Sequence, residues 1–444
     1  MTAEIAILNK EAVAMAADSA VTVSTAGGQK ILPSANKIFS LSKFQPVGIM
    51  VYGNATLMGT PWETIIKMFR QKLGNHCYDK LSQYADKLLD YLKESLFFYP
   101  EDTQLEFVLD NTFRYLSDIQ DEIKEKAEVF LKKKKKNGIS EKEGNAIITS
   151  IFKAHNEYWT KRQPSVNNYS EEYKSFKKKY YKVFQEVKKE LFIKLTPLQS
   201  RYVNNIFIMM FLKSSDDINM YGISGVVISG FGKQEIYPSI QSYQIKGVAN
   251  NLLIYSDDYS SFVDHNHSAG IIPFAQKDMV FSFMEGINPR LNHQIIDLFD
   301  GLLKGFPKLL ISKLSLTPSE KKRLEKEFHR ASALALRKTV TALKDYRRKN
   351  FVDPILEVVD FLSKIELAEM AEALVNLSAL KKRISMEDET VGGPIDVVVI
   401  SKGDGLIWIK RKHYFEQSLN QHFFNNYYNF DNKSCSNEKQ DEQG

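Results

Sequence analysis

The first quarter of the chain alternates short apolar runs with polar turns, a pattern that predicts strands. Four strands are predicted in this part, at residues 3–9, 12–17, 37–41 and 47–52. The first two flank the polar stretch Asn9–Glu11 and are therefore predicted to form a hairpin. Residues 25–30 are predicted to form a loop. A helix is predicted from Trp62 to Leu73, with Thr60 as its N-cap.

Apolar residues at helical spacing predict that the chain is helical from residue 78 to residue 200. The lysine run 132–136 is interpreted as a solvated helix end, with a docking patch for an acidic partner as the alternative. Strands are predicted again at 222–230 and 235–245, and residues 276–383 are predicted to be helical. Two last strands, 394–400 and 406–409, are joined by a Lys-Gly-Asp-Gly turn that favours a hairpin.

This order of elements predicts an α+β protein in which sheet segments distant in sequence come together. We divide the chain into six segments: half of a sheet sandwich, a helical insertion, a second group of strands, a helical segment, a closing hairpin and a C-terminal tail predicted to be disordered at its end. Their bounds are 1–75, 76–200, 201–256, 257–385, 386–415 and 416–444.

Composition narrows the classes of partner and compartment. The 444 residues carry 60 basic and 54 acidic side chains, and a net charge of +6 is too small to demand a nucleic acid or a membrane. Two cysteines cannot form a disulfide framework, and the N-terminus lacks the basic start and apolar core of a signal peptide. We therefore expect a cytoplasmic protein. The sequence contains no Walker loop, dinucleotide fingerprint or zinc spacing, so no cofactor or metal is expected. His265 and His267 are interpreted as part of a polar loop, with a metal site as the alternative.

Candidate catalytic residues occur in a fixed order along the predicted strands. Thr2 precedes the first strand, Asp18 ends the second, Lys37 starts the third and Gly53 follows the fourth. Removal of Met1 by methionine aminopeptidase would expose Thr2 as the N-terminal residue. A threonine hydroxyl needs a base, and an α-amino group with a pKa of about 8 supplies one on the same residue.

The other three residues complete a chemically consistent set. The Lys37 ammonium would lower the pKa of the amine and so favour its basic form, and Asp18 would hold Lys37 charged and oriented. The backbone N–H of Gly53 would face the developing oxyanion, where the absence of a Cβ permits close approach of the substrate.

The order of these residues resembles the proteasome β subunits and their bacterial relatives, which are N-terminal-nucleophile hydrolases. That family has an N-terminal Thr, Ala-Asp-Ser after the second strand, Lys on the third, Gly after the fourth and Asp-x-x-Ser-Gly-Gly before the last strands. The corresponding residues here are Thr2, Ala17-Asp18-Ser19, Lys37, Gly53 and Asp388 to Gly393. The resemblance covers about 140 residues, at 2–75, 222–255 and 386–412.

The resemblance implies a four-layer αββα sandwich with two antiparallel sheets and the catalytic roles given above. It also implies that Asp388 supports the amine and that the backbone at Thr22 binds an extended peptide. From their places beside Asp18 and Gly53, Val21, Val51 and Ala55 are expected to line the first specificity pocket. Because these side chains are apolar, cleavage after hydrophobic residues is expected.

Two positions depart from the family pattern. Val391 stands where the family has a serine, and residues 272–276, the best counterpart of a second supporting serine, contain none. Hydrogen-bond support of the amine must therefore differ, which bears on catalytic efficiency more than on the fold.

Three functions are compatible with these observations. The first is a threonine peptidase acting on extended peptides; the second is an amidase of the same class acting on a small amide, with the helical insertions capping the site. The third is a scaffold that lacks activity. The resemblance implies a homo-oligomer, and since no ATP-binding motif is present, an unfoldase or regulator would be a separate chain.

Overall fold

The computed structural model describes residues 3–25, 28–134, 138–213, 220, 222–385, 392–413, 415–416 and 418–421, with only the backbone described at 22–25 and 28–29. Within these ranges the chain is a mixed α+β protein whose sheets are antiparallel. No helix in the described ranges has the length and apolar character needed to cross a bilayer.

Fourteen strands are assigned in the described residues. They are β1 Glu4–Asn9, β2 Ala12–Ala17, β3 Val21–Thr25, β4 Gly28–Leu32, β5 Ile38–Ser40, β6 Val47–Gly53, β7 Thr56–Leu57, β8 Thr60–Pro61, β9 Ser224–Gly230, β10 Ser239–Ala249, β11 Leu252–Phe262, β12 Ala269–Ala275, β13 Asp396–Ser401 and β14 Gly405–Lys410.

Eleven α-helices are assigned in the same ranges. They are α1 Trp62–Leu73, α2 Leu81–Glu94, α3 Glu101–Lys134, α4 Glu141–Lys161, α5 Tyr169–Leu191, α6 Pro197–Leu212, α7 Lys277–Glu285, α8 Pro289–Lys313, α9 Pro318–Arg347, α10 Asp353–Phe361 and α11 Lys364–Ile384. A π-helical segment, Arg348–Val352, joins α9 to α10.

Two five-stranded antiparallel sheets form the centre of the protein. The first sheet has the strand order β12-β1-β2-β13-β14, and the second has the order β11-β10-β9-β6-β5. The β1–β2 hairpin therefore lies inside the first sheet, where β2 pairs with β13 from the far end of the chain, so that Ala17 faces Asp396. The hairpins β3–β4 and β7–β8 form separate two-stranded sheets.

The alternation of side chains along each strand divides the core into layers. On β1, Ala6 and Leu8 belong to an apolar cluster shared by the two sheets, whereas Ile5 and Ile7 belong to a cluster with α7, α10 and α11. In the second sheet, Ile49 and Ile228 pack with α1 and α2. The order is thus helices, sheet, sheet, helices. Because both faces of β1 and β2 are covered, these strands read as nearly continuous apolar runs.

The remaining helices fall into two groups. The first group, α3 to α6, encloses an aromatic-rich core of its own and reaches the second sheet through Ala249 and Ile254. The second group, α8 and α9, forms an antiparallel pair that packs on α7 and the π-helical segment. Burial in this pair is slight: Ile311 is the one buried residue of α8, and α9 has none.

The structure differs from the sequence prediction at three places. Residues 257–262 and 269–275, which were assigned to the helical segment 257–385, belong to β11 and β12. β12 contains Pro273, and because β12 is an edge strand of its sheet, the missing N–H is tolerated. Helix α6 extends to Leu212, inside the segment 201–256 that was assigned to strands.

The predicted cap and loop near the start of the chain also differ from the structure. The residue at the N-cap of α1 is Pro61, and the Thr60 hydroxyl donates instead to the carbonyl of Phe98 at 3.4 Å. Residues 28–30, predicted as part of a loop, begin β4.

Asn9 fixes the β1–β2 turn to the helical layer through four hydrogen bonds. Its Nδ2 donates to the carbonyls of Val359 and Leu362 at 3.0 and 2.8 Å, and its Oδ1 accepts the N–H groups of Glu11 and Ala12. Asn9 is fully buried.

We expect Asn9→Ala to lower the free energy of unfolding by about 3 kcal/mol, because buried polar groups lose their partners. Chemical denaturation checks this, with exposed Glu11→Ala as the control; equal stability of the two variants would contradict it.

Candidate active site

A buried carboxylate, that of Asp18, lies where β1, β2 and the segment before β13 meet. Its Oδ1 accepts the backbone N–H of Ala3 at 3.0 Å, and the N–H of Asp18 donates back to the Ala3 carbonyl at 3.1 Å. Its Oδ2 accepts the N–H of Gly392 at 2.8 Å and that of Ala20 at 3.4 Å. Since only 1% of Asp18 is exposed, these donors replace the water that an ionised carboxylate needs.

Lys37 places a buried ammonium between two carboxylates. Its Nζ lies 2.5 Å from Asp18 Oδ1 and 3.1 Å from Glu4 Oε1. The side chains are 6% exposed for Lys37, 1% for Asp18 and none for Glu4. With all three groups ionised, the cluster carries a formal charge of −1 in a nearly dry environment. Such a cluster attracts a further cation or hydrogen-bond donor.

Ser19 adds contacts that hold the two distant parts of the chain together. Its N–H donates to the carbonyl of Gly392 at 3.2 Å, and its hydroxyl donates to the carbonyl of Pro394. The carbonyl of Ser19 accepts the N–H of Ala35 at 3.0 Å. The segment 392–394 and the segment that leads to Lys37 are therefore both tied to the turn after β2.

Gly53 ends β6 with a positive φ of +79°, a conformation that favours glycine. A Cβ at this position would lie 2.6 Å from the carbonyl oxygen of Ile223, so no other residue fits without a shift of the backbone. The next N–H, that of Asn54, donates to the same carbonyl at 3.0 Å. The end of β6 is thereby held against the start of β9.

A cleft of about 220 Å³ lies beside this cluster. It brings together five residues that were predicted from the sequence, although they come from three separate stretches of the chain: Val21, Lys37, Val51, Gly53 and Ala55. The rest of its wall is more polar than expected and includes Asn36, Asn54 and Glu63. The Glu63 carboxylate is paired with Lys67 at 2.5 Å, so its charge is partly balanced.

Tyr52, next to Gly53, anchors the cleft to the second sheet. Its hydroxyl donates to Asp258 Oδ2 at 2.8 Å, and the same carboxylate accepts from Ser242 and Gln244 at 3.1 Å each. Burial, followed by the neighbouring Asp258 carboxylate, raises the pKa of the Tyr52 hydroxyl well above its ordinary value. Tyr52 therefore stays neutral and acts as a hydrogen-bond donor at physiological pH.

Three of the sequence-based predictions cannot be placed in this geometry. Thr2, Asp388 and the departure at Val391 lie outside the described residues. For Thr22, the backbone is described: it lies in β3 and pairs with Ile31 of β4. In the described part of the chain, β4 is the strand that pairs with β3.

Glu4 is the site residue that the sequence analysis missed. A charged residue inside the apolar run 3–9 was nevertheless a signal that could have identified it. A carboxylate within a strand that is buried on both faces requires a cationic partner, and Lys37 is that partner. Within the described ranges, no group of three or more His, Cys, Asp and Glu side chains is arranged to hold a metal ion.

The arrangement thus provides a fixed ammonium, a carboxylate with an unusually full set of donors, and a glycine turn beside a small cleft. A glycine turn can present an N–H to a developing oxyanion, and a fixed ammonium can tune a neighbouring base, which are two roles used in acyl-transfer chemistry. No model of a known protein family matches the chain, and no curated protein matches it either.

Lys37→Met leaves two buried carboxylates without their cation. Two ionised carboxylates that lack a cation in a nearly dry environment destabilise the folded state, and protonation relieves this cost. The penalty should therefore be larger at pH 8 than at pH 5. It should reach about 3 kcal/mol at pH 8.

Urea denaturation at the two pH values measures this difference. Lys67→Met is the matched control, because Lys67 and Glu63 form an exposed ion pair that should contribute less than about 1 kcal/mol at either pH. A pH-independent penalty for Lys37→Met would show that the buried charges are not coupled as described.

Proposed function

We propose that the protein is a threonine-type peptidase of the N-terminal-nucleophile hydrolase class, with Thr2 as its nucleophile. The Thr2 hydroxyl attacks the peptide carbonyl, and its own α-amine accepts the hydroxyl proton. The C–N bond then breaks, the amine returns the proton to the leaving nitrogen, and water hydrolyses the resulting ester. Atoms and charges balance without a cofactor.

The observation that carries the proposal is the position of the Asp18 carboxylate. It binds the N–H of Ala3 and the ammonium of Lys37 through the same oxygen. Ala3 follows Thr2 in the sequence, and consecutive Cα atoms are about 3.8 Å apart across a trans peptide bond. This covalent link to Ala3 supports the proposal that Thr2 acts beside Asp18 and Lys37, where the mechanism requires the nucleophile.

The layered architecture supports the proposed class. Two antiparallel five-stranded sheets lie face to face, and helices cover both outer faces. We propose that these layers are the four-layer αββα sandwich that the resemblance implies. Fold alone does not determine function, so the proposal depends on the site rather than on the layers.

Glu4 modifies the expected electrostatics of the nucleophile. Lys37 alone would lower the pKa of a neighbouring amine, but the carboxylates of Glu4 and Asp18 offset its positive charge. The amine would then remain protonated to a higher pH than beside an isolated ammonium. We therefore expect the activity to rise through the weakly alkaline range.

We propose that the substrate lies along the cleft and the edge of β3. An extended peptide that pairs with β3 at Thr22, on the edge opposite β4, would add a strand, the mode by which peptides commonly bind sheet edges. A side chain of that peptide would enter the cleft between Val21, Val51 and Ala55. The carbonyl next to it would approach the turn at Gly53, whose N–H is the proposed oxyanion donor.

A peptide epoxyketone tests the nucleophile, because it reacts with both the hydroxyl and the free amine of an N-terminal threonine. Intact mass should show loss of Met1 and one adduct, and Thr2→Ala should abolish the adduct. Lys37→Met should slow adduct formation by about 100-fold or more, since less of the amine is then in its neutral, basic form and the positioning of the site is lost. Thr60→Ala, which changes a threonine outside the cluster, is the control and should react normally.

The other outcomes are equally informative. A retained Met1 without an adduct would contradict the proposal and favour a scaffold. A free Thr2 without an adduct would contradict the peptidase mechanism. Turnover of a small amide but of no peptide longer than a few residues would assign the site to an amidase.

The cleft predicts cleavage after hydrophobic residues. We expect Ala55→Glu to shift the preference toward basic residues by about tenfold or more, because it adds an unpaired carboxylate to the cleft wall. A peptide library measures this shift. Glu63→Gln is the control: since Glu63 is paired with Lys67, its removal should leave the hydrophobic preference unchanged. A wild-type preference for basic residues that Glu63→Gln removes would contradict the assignment.

A further inference from the structure

Helix α8 exposes a row of large apolar side chains. Leu298, Leu302 and Phe306 are 68%, 67% and 62% exposed, and Leu291 and Leu309 are 51% and 55% exposed. A groove of about 890 Å³ runs along this row, and the described residues that line it belong to α8. Contiguous apolar surface of this kind marks an interaction site more often than chance.

The row has the spacing of a coiled-coil seam. Its positions alternate steps of four and three residues, which keeps one stripe of a helix facing a partner helix. They are Leu291, Ile295, Leu298, Leu302, Gly305 and Leu309. None of these six residues carries a charge. We call this set the α8 stripe.

Helix α9 does not occupy the α8 stripe, because it packs on another face of α8. Pro307 lacks an N–H, so the carbonyl of Leu303 has no donor within the helix. The Ser332 hydroxyl of α9 donates to that carbonyl instead, at 2.7 Å. Ile311, the buried residue of α8, also lies outside the stripe. The contact with α9 is thus defined, and the stripe remains exposed except at Ile295, which is half-buried.

We propose that the α8 stripe is a dimer interface, in which α8 packs antiparallel against α8 of a second copy. We place the twofold axis at Leu302. Each residue then lies opposite the residue of the second copy that is equally far from position 302 in the other direction along α8. Ile295 then faces Leu309 of the second copy, and Leu298 faces Phe306. The bulky Phe299 faces Gly305, which has room for it. The stripe is therefore complementary to itself in this register.

The area is sufficient for a specific dimer. Six apolar side chains on each copy would be covered, and each exposes on the order of 100 Å² at the exposures found here. The total is about 1,200 Å² from both copies, which reaches the lower limit for stable protein interfaces. The six are Leu291, Leu298, Phe299, Leu302, Phe306 and Leu309.

The distribution of charge favours a second copy over a membrane surface. Residues 289–347 contain 13 basic and 6 acidic residues, a net charge of +7 in a chain whose total is +6. Nine of the 13 lie on α9. Because α9 packs on the side of α8 away from the stripe, dimerisation through the stripe leaves most of these charges in water. A membrane bound to the stripe would lie a helix diameter from most of them.

Size measurement of the full-length protein tests the interface. Light scattering after gel filtration should give at least a dimer for the wild type, and Leu302→Asp should reduce the mass twofold. Leu334→Asp is the matched control, since Leu334 is 56% exposed on α9 and lies outside the stripe. Circular dichroism confirms that each variant is folded, and Leu298→Lys replaces Leu302→Asp if it is not.

Cross-linking tests the register. Leu302→Cys should form a disulfide-linked dimer on mild oxidation, because the two cysteines would meet at the axis. Leu309→Cys should not, since it would lie about 21 Å from its counterpart at a rise of 1.5 Å per residue. A mixture of Ile295→Cys and Leu309→Cys should cross-link, and the wild type measures the background from its own cysteines.

Two results would overturn the proposal. A wild-type protein that is monomeric at micromolar concentration excludes the dimer. A mass that Leu302→Asp leaves unchanged assigns any oligomer to another surface. If the wild type is monomeric and binds anionic vesicles, and Leu302→Asp abolishes that binding, the stripe is a membrane-docking surface instead.

Discussion

The arrangement on which the site depends is the buried ion cluster of Glu4, Asp18 and Lys37. Removing charged groups from water is costly, and the cost is offset only where the partners are fixed in good geometry. Here the first strand supplies Glu4, the turn after β2 supplies Asp18, and the residue before β5 supplies Lys37. All three segments must therefore be in place before the cluster becomes favourable. The site therefore forms only when these three segments have folded together.

The cluster also joins the ends of the chain. Asp18 binds Ala3 near the N-terminus and Gly392 near the C-terminus, positions separated by almost 390 residues. Such long-range closure carries an entropic cost, which the β2–β13 ladder and its apolar packing help to offset. Between these ends the chain forms large helical additions without disturbing the cluster, because they leave and re-enter the central layers at strand ends.

A second network holds the cleft on its other side. The Trp62 indole donates to the Ser224 hydroxyl at 2.8 Å, and that hydroxyl donates to the carbonyl of Asn54 at 3.0 Å. The loop after Gly53 is thus bound both to α1 and to β9. Since Trp62 and Ser224 are buried, this part of the wall is rigid. A preorganised turn is what an oxyanion donor requires, because a mobile N–H would lose much of its effect.

The sequence was most informative where the interactions are local and least informative where they are not. The β1–β2 hairpin and the glycine after β6 follow from periodicity and turn chemistry, so they were predictable. β12 was missed because the tolerance for Pro273 depends on its place at a sheet edge, a property of the assembled sheet. Glu4 and Asp258 were missed for a related reason: each carboxylate has partners that are distant in sequence, and nothing near it in the chain identifies them.

The two helical additions differ in whether they can enclose an apolar core of their own. Helices α3 to α6 bury aromatic residues such as Phe176, Phe184 and Phe207 among themselves, so this addition completes its own core. Helices α8 and α9 form only a pair, and two helices cannot enclose a core because each has one face in contact and the rest in solvent. An apolar stripe on such a pair reduces solubility unless another surface covers it. The sequence nevertheless maintains the stripe over five turns of α8, and this is why we attribute a binding role to it and a structural role to the core of α3 to α6.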